Sequence, residues 1–507
     1  MSDGKISRER LEAPPGEVYA ETVLAPGYYF MLEHYFAPLV EVNRAWTVML
    51  VERGIVDREA GGRLLGAFAD LAAAGPEALG PFNPAHEYFY SHMEHWLNER
   101  VGEEVAGEMN IGRTRPEPLT RMATRERLLE TLDALAGLRA TLLEIAEREA
   151  NTVMPQWTHF QHAQLSTLGH YLLGISNALE RDAARLLGAY ATVNQCTLGC
   201  GALAGSSYPI DRELVAELLG FDGVRENTID CVSSADHMLE ASSALAGMMI
   251  TLSRLCEDLY IWHTEEFDFV SIGDEFAGSS SMMPQKKNAY PFEYVRARAA
   301  QAVGEMTSAH AVLHNTNFQD IKDVEEEVVP PVFRALSDAS VCLRLLEGSI
   351  ASLEIRHERM LERAGAGFGS ATELAAVIHR GSDLSYRTAH RVVGNLVLRA
   401  FRQGKGAREV DAALVDESAR ELLGRPLELD DAAVRGALDP TAFVEAHDLP
   451  GGPAPRAVRT AVSGARERLE AQSGAIAARR AALERAAGAL DQRARTLAEA
   501  AHAAPTR

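Results

Sequence analysis

Apolar residues recur at three- and four-residue spacing over long stretches of this chain, as in helices with one buried face. Five stretches show the pattern: 122–152, 165–193, 233–267, 289–313 and 332–365. Several are longer than about 25 residues and lack an internal proline, which favours a bundle of long helices over a βαβ fold. The apolar alternation typical of strands is scarce. The pattern therefore predicts an all-α protein with a central long-helix bundle.

Three Gly-, Ser- and Pro-rich segments separate the predicted helices, namely 107–118, 271–288 and 365–370. The last fifty residues are rich in Ala, Arg and Glu, which predicts a solvated or partner-binding helix with a frayed end. We accordingly divide the chain into an N-terminal helical domain, a central bundle carrying the 271–288 loop, and a small C-terminal helical domain with a helical tail. The predicted boundaries are 1–112, 113–365 and 366–507.

The net charge of −22 limits the partners that the chain can bind. Such an acidic chain repels nucleic acid and anionic lipid, so neither is expected as a partner. The five cysteines form no CxxC pair, and we predict no metal and no cofactor. The first residues lack an apolar signal segment, and no uninterrupted apolar run is long enough to span a membrane. We expect a cytoplasmic enzyme for a small molecule.

The segment 278–288 carries the clearest candidate chemistry. Its glycine and three serines are poor helix formers, whereas Lys286, Lys287 and Asn288 stand just before a predicted helix. Ammonium groups and helix N–H donors at that point can bind an anion, although the lysines oppose the helix dipole. The alternative is a flexible surface loop, and the residues by themselves leave both open.

Several ordered segments resemble the argininosuccinate lyase branch of the fumarase/aspartase superfamily. SSSMMPQKKN at 279–288 is similar to the superfamily signature Gly-Ser-Ser-x-Met-Pro-x-Lys-x-Asn. TVMPQWTHFQHAQ at 152–164 and LGCGALAGSSYPIDRE at 198–213 match other family blocks. The resemblance spans roughly residues 85–465 and implies three helical domains, a homotetramer, and active sites assembled from three subunits.

The resemblance implies an anti β-elimination that releases fumarate and an amine from an N-substituted succinate. The enzyme must stabilise the aci-carboxylate formed when a proton leaves the carbon beside a carboxylate. Ser280 matches the catalytic serine, and Lys286 with loop N–H groups would stabilise its anion. Ser279 and Ser281 flank it, and either remains an alternative base.

His159 matches the family histidine that acts as an acid or organises one. From the residues alone, His159 could equally begin a helix that Thr158 caps. Glu293 matches the glutamate partner of that histidine, although on its own it could be an exposed helix carboxylate. A carboxylate partner would fix the imidazole tautomer and raise the pKa of the histidine.

Carboxylate binding is expected from arginines, because guanidinium groups bind carboxylates in a bidentate manner. Arg115 matches the binding arginine of the family, and Arg113 is its neighbour. On the alternative reading, each of these is simply an exposed polar residue. The full set of expected substrate-binding residues is Arg113, Arg115, Thr158, Gln161, Ser281, Asn288 and Lys322.

Departures from the family pattern concern the amine. Pro116 and Glu117 replace an Asn-Asp pair, and YYFMLEHYF at 28–36 replaces a Ser-x-x-x-Asp motif. The segment 317–325 aligns only loosely, and Lys322 is the one positive group there that could bind a carboxylate on the amine. Because the central blocks match the argininosuccinate lyase branch, we nevertheless expect argininosuccinate as the substrate, split into arginine and fumarate. The alternatives are another N-substituted aspartate, such as a diamine-derived one, and a catalytically silent structural relative.

Overall fold

The computed structural model describes residues 13–114 and 118–503, and the predicted all-α class is confirmed. A π-helical stretch, Ala20–Leu24, joins the first two helices of the N-terminal part. This part contains α1 (Glu17–Tyr19), α2 (Ala25–Glu52), α3 (Arg58–Ala74), α4 (Phe89–Val101) and α5 (Glu103–Gly107).

Five long helices form the central bundle, as the apolar spacing predicts. Along its first helix, Leu128, Leu132, Leu135, Leu138 and Leu142 recur at three- and four-residue spacing, and none is more than 1% exposed. The helices of the central part are α6 (Leu119–Arg148), α7 (Leu168–Val193), α8 (Arg212–Leu218), α9 (Thr228–Ser233), α10 (Asp236–Trp262), α11 (Tyr290–Leu313) and α12 (Val329–Ala351). The long ones, α6, α7, α10, α11 and α12, pack against one another around one apolar core.

Shorter helices follow, and those from residue 371 to residue 438 share a separate apolar core. They are α13 (His357–Ala366), α14 (Ala371–Gly381), α15 (Tyr386–Arg402), α16 (Ala412–Leu423), α17 (Asp431–Leu438) and α18 (Pro440–Ala446). The last helix, α19 (Pro455–Ala503), runs back along α3 and α6 and buries Val458 and Val462 in the main core. The domain boundaries at 112 and 365 stay predictions.

Two short antiparallel sheets of two strands each interrupt the helices. The first pairs β1 (Val153–Thr158) with β2 (Gln161–Thr167), and the second pairs β3 (Val270–Ser271) with β4 (Glu354–Ile355). The prediction of a helix from residue 165 is therefore wrong at its start. The Thr167 side chain accepts a hydrogen bond from the His170 N–H and caps α7, so the helix begins only at residue 168.

The predicted helix 332–365 is likewise wrong, because it is broken after Ala351. There Ser352 Oγ accepts a hydrogen bond from the Gly273 N–H at 3.1 Å, and β4 pairs with β3. These tertiary hydrogen bonds replace those of a continuing helix, which local apolar spacing cannot reveal. Over 13–114 and 118–503, no helix is both long and apolar enough to cross a bilayer.

Candidate active site

The segment 278–288 forms a closed loop before α11. Gly278 and Asn288 exchange backbone hydrogen bonds of 2.8 and 2.9 Å, and the Asn288 side chain donates to the Gly278 carbonyl at 3.0 Å. A Cβ at position 278 would lie 2.0 Å from the Tyr290 ring, so only glycine fits there. The neck of the loop is therefore rigid, while its far side projects, with Met282 90% exposed.

Ser280 lies within this loop with its hydroxyl oxygen facing backbone donors. Ser280 Oγ accepts hydrogen bonds from the Met283 N–H at 3.0 Å and from the Met282 N–H at 3.4 Å. Donors aimed at an oxygen stabilise its anion and favour loss of its proton. Among the described residues, no side-chain hydrogen bond of this kind forms at Ser279 or Ser281, which supports Ser280 as the base of the three.

The two lysines of the loop have different surroundings. Lys287 Nζ lies 2.8 Å from Asp274 Oδ1, and hydrogen bonding to Lys287 lowers the pKa of Asp274. Lys286 is exposed and forms no ion pair with any residue in the described ranges. The Lys286 ammonium is thus the one that remains available to an anion beside Ser280.

Thr158, His159 and Gln161 lie at the exposed tip of the β1–β2 hairpin. Thr158 pairs with Gln161, so His159 and Phe160 form a two-residue turn, with φ of 55° and 60°. Both residues occupy the left-handed region that type I′ turns require, at a cost of about 1 kcal/mol or more for a side chain other than glycine. The possibility of a helix start at His159 is therefore wrong, because strand pairing defines the turn.

Hairpin geometry makes the tip rigid and outward-facing. Next to the tip, the Trp157 ring packs 6.1 Å from that of Trp262, and nearer the base Val153 and Leu165 pack against the C-terminal helices. At the tip, Phe160 is 69% exposed. Strain that persists at an exposed, firmly anchored tip is typical of residues kept for a functional contact.

Glu293 lies in the first turn of α11 and does not meet His159 within one chain. Its Oε1 accepts a hydrogen bond from the Tyr260 hydroxyl at 3.1 Å, which raises the pKa of Tyr260. Glu293 is exposed and close in sequence to the 278–288 loop. The expected pairing of Glu293 with His159 stays a prediction that needs a second copy of the chain.

Of the two arginines expected to bind a carboxylate, only Arg113 lies within the described residues. Arg113 donates from Nε to the Met109 carbonyl at 3.1 Å and from Nη2 to the Tyr90 hydroxyl at 3.0 Å and to Asn43. Only its Nη1 is buried without a partner among the described residues. Arg113 is thus mainly a structural anchor. Arg115, with Pro116 and Glu117, lies outside the described residues.

Lys322 lies on a cavity of about 420 Å³ that also reaches Thr114, close to Arg113. Lys322 forms an ion pair with Glu326 and lies 5.5 Å from the Tyr88 ring centroid. Burial has the largest single effect and lowers the pKa of Lys322, but the hydrogen bond to Glu326 and the negative charges of Glu326 and Glu325 together outweigh burial, so the pKa of Lys322 is raised.

The wall around Lys322 includes a π-helical turn, Asp323–Glu327, and π-helical turns are common at functional sites. Three carboxylates line this outer part of the cavity, Asp320, Glu325 and Glu326. Burial raises the pKa of Asp320. The opposite, inner wall carries Arg121 and His237, both buried.

Arg121 and His237 were not predicted as site residues. Arg121 lies on the same face of α6 as Arg125, Leu128 and Leu132. A charged residue on a largely apolar helix face was the sequence feature that could have identified it. His237 in VSSADHMLE showed no comparable signal, because only the fold brings α10 to this cavity.

Within one chain, the expected residues fall into three groups. The loop holds Ser280, Ser281, Lys286 and Asn288, with Glu293 just beyond it; the hairpin tip holds Thr158, His159 and Gln161; the third group is Lys322, whose cavity wall extends towards Arg113. In the part of the chain that the structure describes, no hydrogen bond or ion pair joins one group to another. Within one copy of the chain, the candidate residues thus form three separate groups.

Comparison with known proteins identifies the family of this chain. A family model described as lyase matches residues 79–304, and one described as argininosuccinate lyase C-terminal matches 368–445. The argininosuccinate lyase of Methanothermobacter thermautotrophicus is 37% identical over 442 residues, covering 87% of this chain and 94% of the relative. Argininosuccinate lyase 1 of Shouchella clausii is 33% identical over 449 residues, covering 88% and 90%.

Solved structures define the fold class. An EDDS lyase variant with bound fumarate superposes with a TM-score of 0.86 at 30% identity, covering 97% of this chain and 98% of that one. The class II fumarase of Schistosoma mansoni superposes with a TM-score of 0.65 at 14% identity, covering 84% and 92%, which shows the shared fold alone. The protein is therefore a helical lyase of the fumarase/aspartase superfamily. Within that class, the chain belongs to the argininosuccinate lyase family.

Proposed function

We propose that this enzyme splits argininosuccinate into arginine and fumarate by a reversible anti β-elimination. The observation that carries the proposal is the environment of Ser280, whose hydroxyl oxygen faces two backbone N–H donors. As base, Ser280 would take the proton from the carbon beside a carboxylate. Lys286, exposed and unpaired in the described structure, and Asn288 would bind the developing aci-carboxylate.

The acid for the leaving nitrogen is His159, presented from the hairpin tip of another subunit. Glu293 would pair with this histidine across the interface and hold its proton in place. The exposed tip, with Phe160 at its end, is consistent with insertion between copies. Ile250 on α10 and Tyr290 and Tyr294 on α11 are exposed apolar residues that a homotetramer with shared active sites would cover.

Mixing inactive subunits tests the shared site. Ser280→Ala and His159→Ala proteins, each inactive alone, should regain activity after joint unfolding and refolding. Independent refolding of the two proteins followed by mixing provides the control. No recovery despite formation of mixed oligomers would place Ser280 and His159 in separate sites.

The reaction is tested by following fumarate through its ultraviolet absorbance. The enzyme would be incubated with argininosuccinate, with N-alkyl aspartates, or with malate. Fumarate should form from argininosuccinate and not from malate. Fumarate from malate alone would indicate a fumarase, and its absence with every substrate would indicate a catalytically silent relative.

A second candidate is an N-substituted aspartate whose amine is a diamine. The 30% identity to an EDDS lyase over 97% of this chain supports it, as do the carboxylates Asp320, Glu325 and Glu326 along the outer cavity. Carboxylates and aromatic faces both attract a cationic amine, the latter by roughly 0.5–2 kcal/mol. Exclusive addition of ethylenediamine to fumarate, with arginine inert, would favour this substrate.

A further inference from the structure

Two of the five cysteines, Cys200 and Cys231, are neighbours at the wall of the cavity that contains Lys322. Both are buried and neither takes part in a disulfide. A hydrogen bond joins their side chains, so the two sulfur atoms are adjacent. Cys231 lines the cavity and is 7% exposed, whereas Cys200 is 0% exposed and does not line it. A small molecule in the cavity therefore meets Cys231 before Cys200.

The surroundings of Cys231 favour its thiolate form. The hydrogen bond from Cys200 has the largest effect and lowers the pKa of Cys231. Burial acts in the opposite direction, but Arg212 Nη2 also donates to Cys231 Sγ, at 3.3 Å, and the charges of Arg212 and Arg121 lower the pKa further. The Arg225 carbonyl, 3.2 Å from Cys231 Sγ, accepts a bond from the thiol form and is outweighed. The thiolate is the reactive form of cysteine, so Cys231 is the nucleophile of this pair.

A second pair of cysteines shows that proximity alone does not produce a reactive thiolate. Cys256 on α10 and Cys342 on α12 are both 0% exposed and lie close enough for the charge of Cys342 to raise the pKa of Cys256. Burial has the largest effect on both, and it raises the pKa of Cys256 well above its usual value and that of Cys342 to about 12. Both therefore remain thiols at neutral pH, and they provide a control within the same chain.

The two segments that carry Cys200 and Cys231 are bound to each other. Thr228 Oγ1, at the start of α9, donates to the Leu203 carbonyl at 2.7 Å, and the Gly205 N–H donates to the Cys200 carbonyl at 2.7 Å. The helix α9, which contains Cys231, is six residues long. A disulfide with a sulfur–sulfur distance of about 2.05 Å would therefore form by a movement of this short helix towards the 200–205 turn.

We propose that Cys231 and Cys200 form a redox-active pair, which a hydroperoxide entering the cavity converts into a disulfide. In the first step, the Cys231 thiolate attacks one oxygen of hydrogen peroxide: an S–O bond forms, the O–O bond breaks and hydroxide leaves, so Cys231 becomes a sulfenic acid. In the second step, the Cys200 sulfur attacks Cys231 Sγ: the S–S bond forms, the S–O bond breaks, and water leaves with the Cys200 proton. The pair loses two electrons, and the peroxide accepts them.

Peptide mapping of the intact protein after peroxide treatment tests the pair directly. The protein should lose two hydrogens and yield a linked peptide that contains Cys200 and Cys231, and dithiothreitol should reverse both changes. Cys256 and Cys342 should stay unlinked. A disulfide that joins any other two cysteines, or the absence of any disulfide after treatment, would overturn the proposal.

Two substitutions test the order of the steps. Cys200→Ser keeps a hydroxyl donor but lacks the second sulfur, so a sulfenic acid should persist at Cys231 and be trapped by dimedone. Cys342→Ser is the matched control, a buried cysteine replaced in the other pair, and it should still form the disulfide between Cys200 and Cys231. Trapping of a sulfenic acid at Cys200 in Cys231→Ser, with none at Cys231 in Cys200→Ser, would contradict Cys231 as the nucleophile.

Alkylation of the unmodified protein needs no variant. Iodoacetamide at about pH 7 should modify Cys231 at least about tenfold faster than Cys342, because reactivity follows the thiolate fraction and exposure. The rates would be read from the mass spectra of the two peptides over time. Equal rates at Cys231 and Cys342 would show that Cys231 is an ordinary buried thiol, and the proposal would fail.

The effect of the disulfide on catalysis rests on the proposed lyase function. Val232 and Ser234, on either side of the next residue after Cys231 in α9, line the same cavity, so movement of this helix alters the cavity wall. Peroxide should therefore lower fumarate release, dithiothreitol should restore it, and Cys231→Ser should be insensitive to peroxide. An equal loss in Cys231→Ser would assign the loss to another residue and refute this effect. Absence of lyase activity altogether would refute the proposed function alone, because mapping and alkylation need no substrate.

Discussion

The 278–288 loop and the cavity at Lys322 place their basic side chains in opposite environments, one exposed and the other buried. The loop leaves Lys286 in solvent and aims backbone N–H groups at Ser280. The cavity buries Arg121 and His237 and keeps some of their donors unpaired. The loop is formed by eleven consecutive residues, 278–288, whereas segments from six separate parts of the chain meet at the cavity. The surroundings of Ser280 are thus formed by one short segment, whereas the cavity is formed by the assembly of the fold.

The largest expected effect comes from removing the hydroxyl that faces the loop donors. Ser280→Ala should lower kcat by about 10²–10⁴-fold, because that is the typical contribution of a positioned base, while substrate affinity is largely kept. Steady-state fumarate release measures it, with Ser279→Ala and Ser281→Ala as controls. An active Ser280→Ala enzyme beside an inactive neighbour variant would show that another serine is the base.

A smaller loss of activity is expected when the loop is displaced and the Ser280 hydroxyl is kept. Gly278→Ala puts a methyl group 2.0 Å from the Tyr290 ring, so either this half-exposed ring or the neck of the loop must shift. A displacement of about 1 Å costs up to about 100-fold in rate. Gly304→Ala on α11 is the control, because nothing lies within 4 Å of its added methyl group. Equal activity of both variants would mean that the loop tolerates movement.

His237, which lines the cavity, should make the free energy of unfolding depend on pH. The folded state keeps the pKa of His237 well below that of the unfolded chain, which is about 6.5. As pH falls below about 6.5, only the unfolded state gains this proton, so the free energy of unfolding decreases, by about 1.4 kcal/mol at about pH 5.5. Urea unfolding at about pH 7.5 and 5.5 should show a smaller difference for His237→Gln. An unchanged difference would mean that His237 titrates normally.

The smallest effect on kinetics is expected at Lys322, on the outer part of the cavity. Lys322→Ala removes an ion pair with Glu326 that is partly exposed, and such pairs contribute about 0.2–1 kcal/mol. We expect KM for the amine to change by at most about fivefold in steady-state kinetics. A much larger rise in KM would show that Lys322 binds the substrate directly.

Sequence patterns predicted the helical class, the long bundle helices and the irregular loop, because apolar spacing and glycine or proline content act locally. They missed the β1–β2 hairpin, in which cross-strand pairing holds His159 at a positive φ. They also missed the break at Ser352, which depends on Gly273 far away in the chain. Arg121 and His237 could not be found together, because only the meeting of α6 with α10 makes them neighbours of one cavity.

The most direct test of the central claim, that this chain is a carbon–nitrogen lyase acting on fumarate, runs the reaction backwards in deuterated water. Arginine and fumarate would be incubated with the enzyme, and the product would be examined by proton NMR. The account predicts an N-substituted aspartate with one deuterium in a single configuration, as anti addition requires, and none with Ser280→Ala. Formation of no such product with any amine, or deuterium spread over both positions, would contradict it.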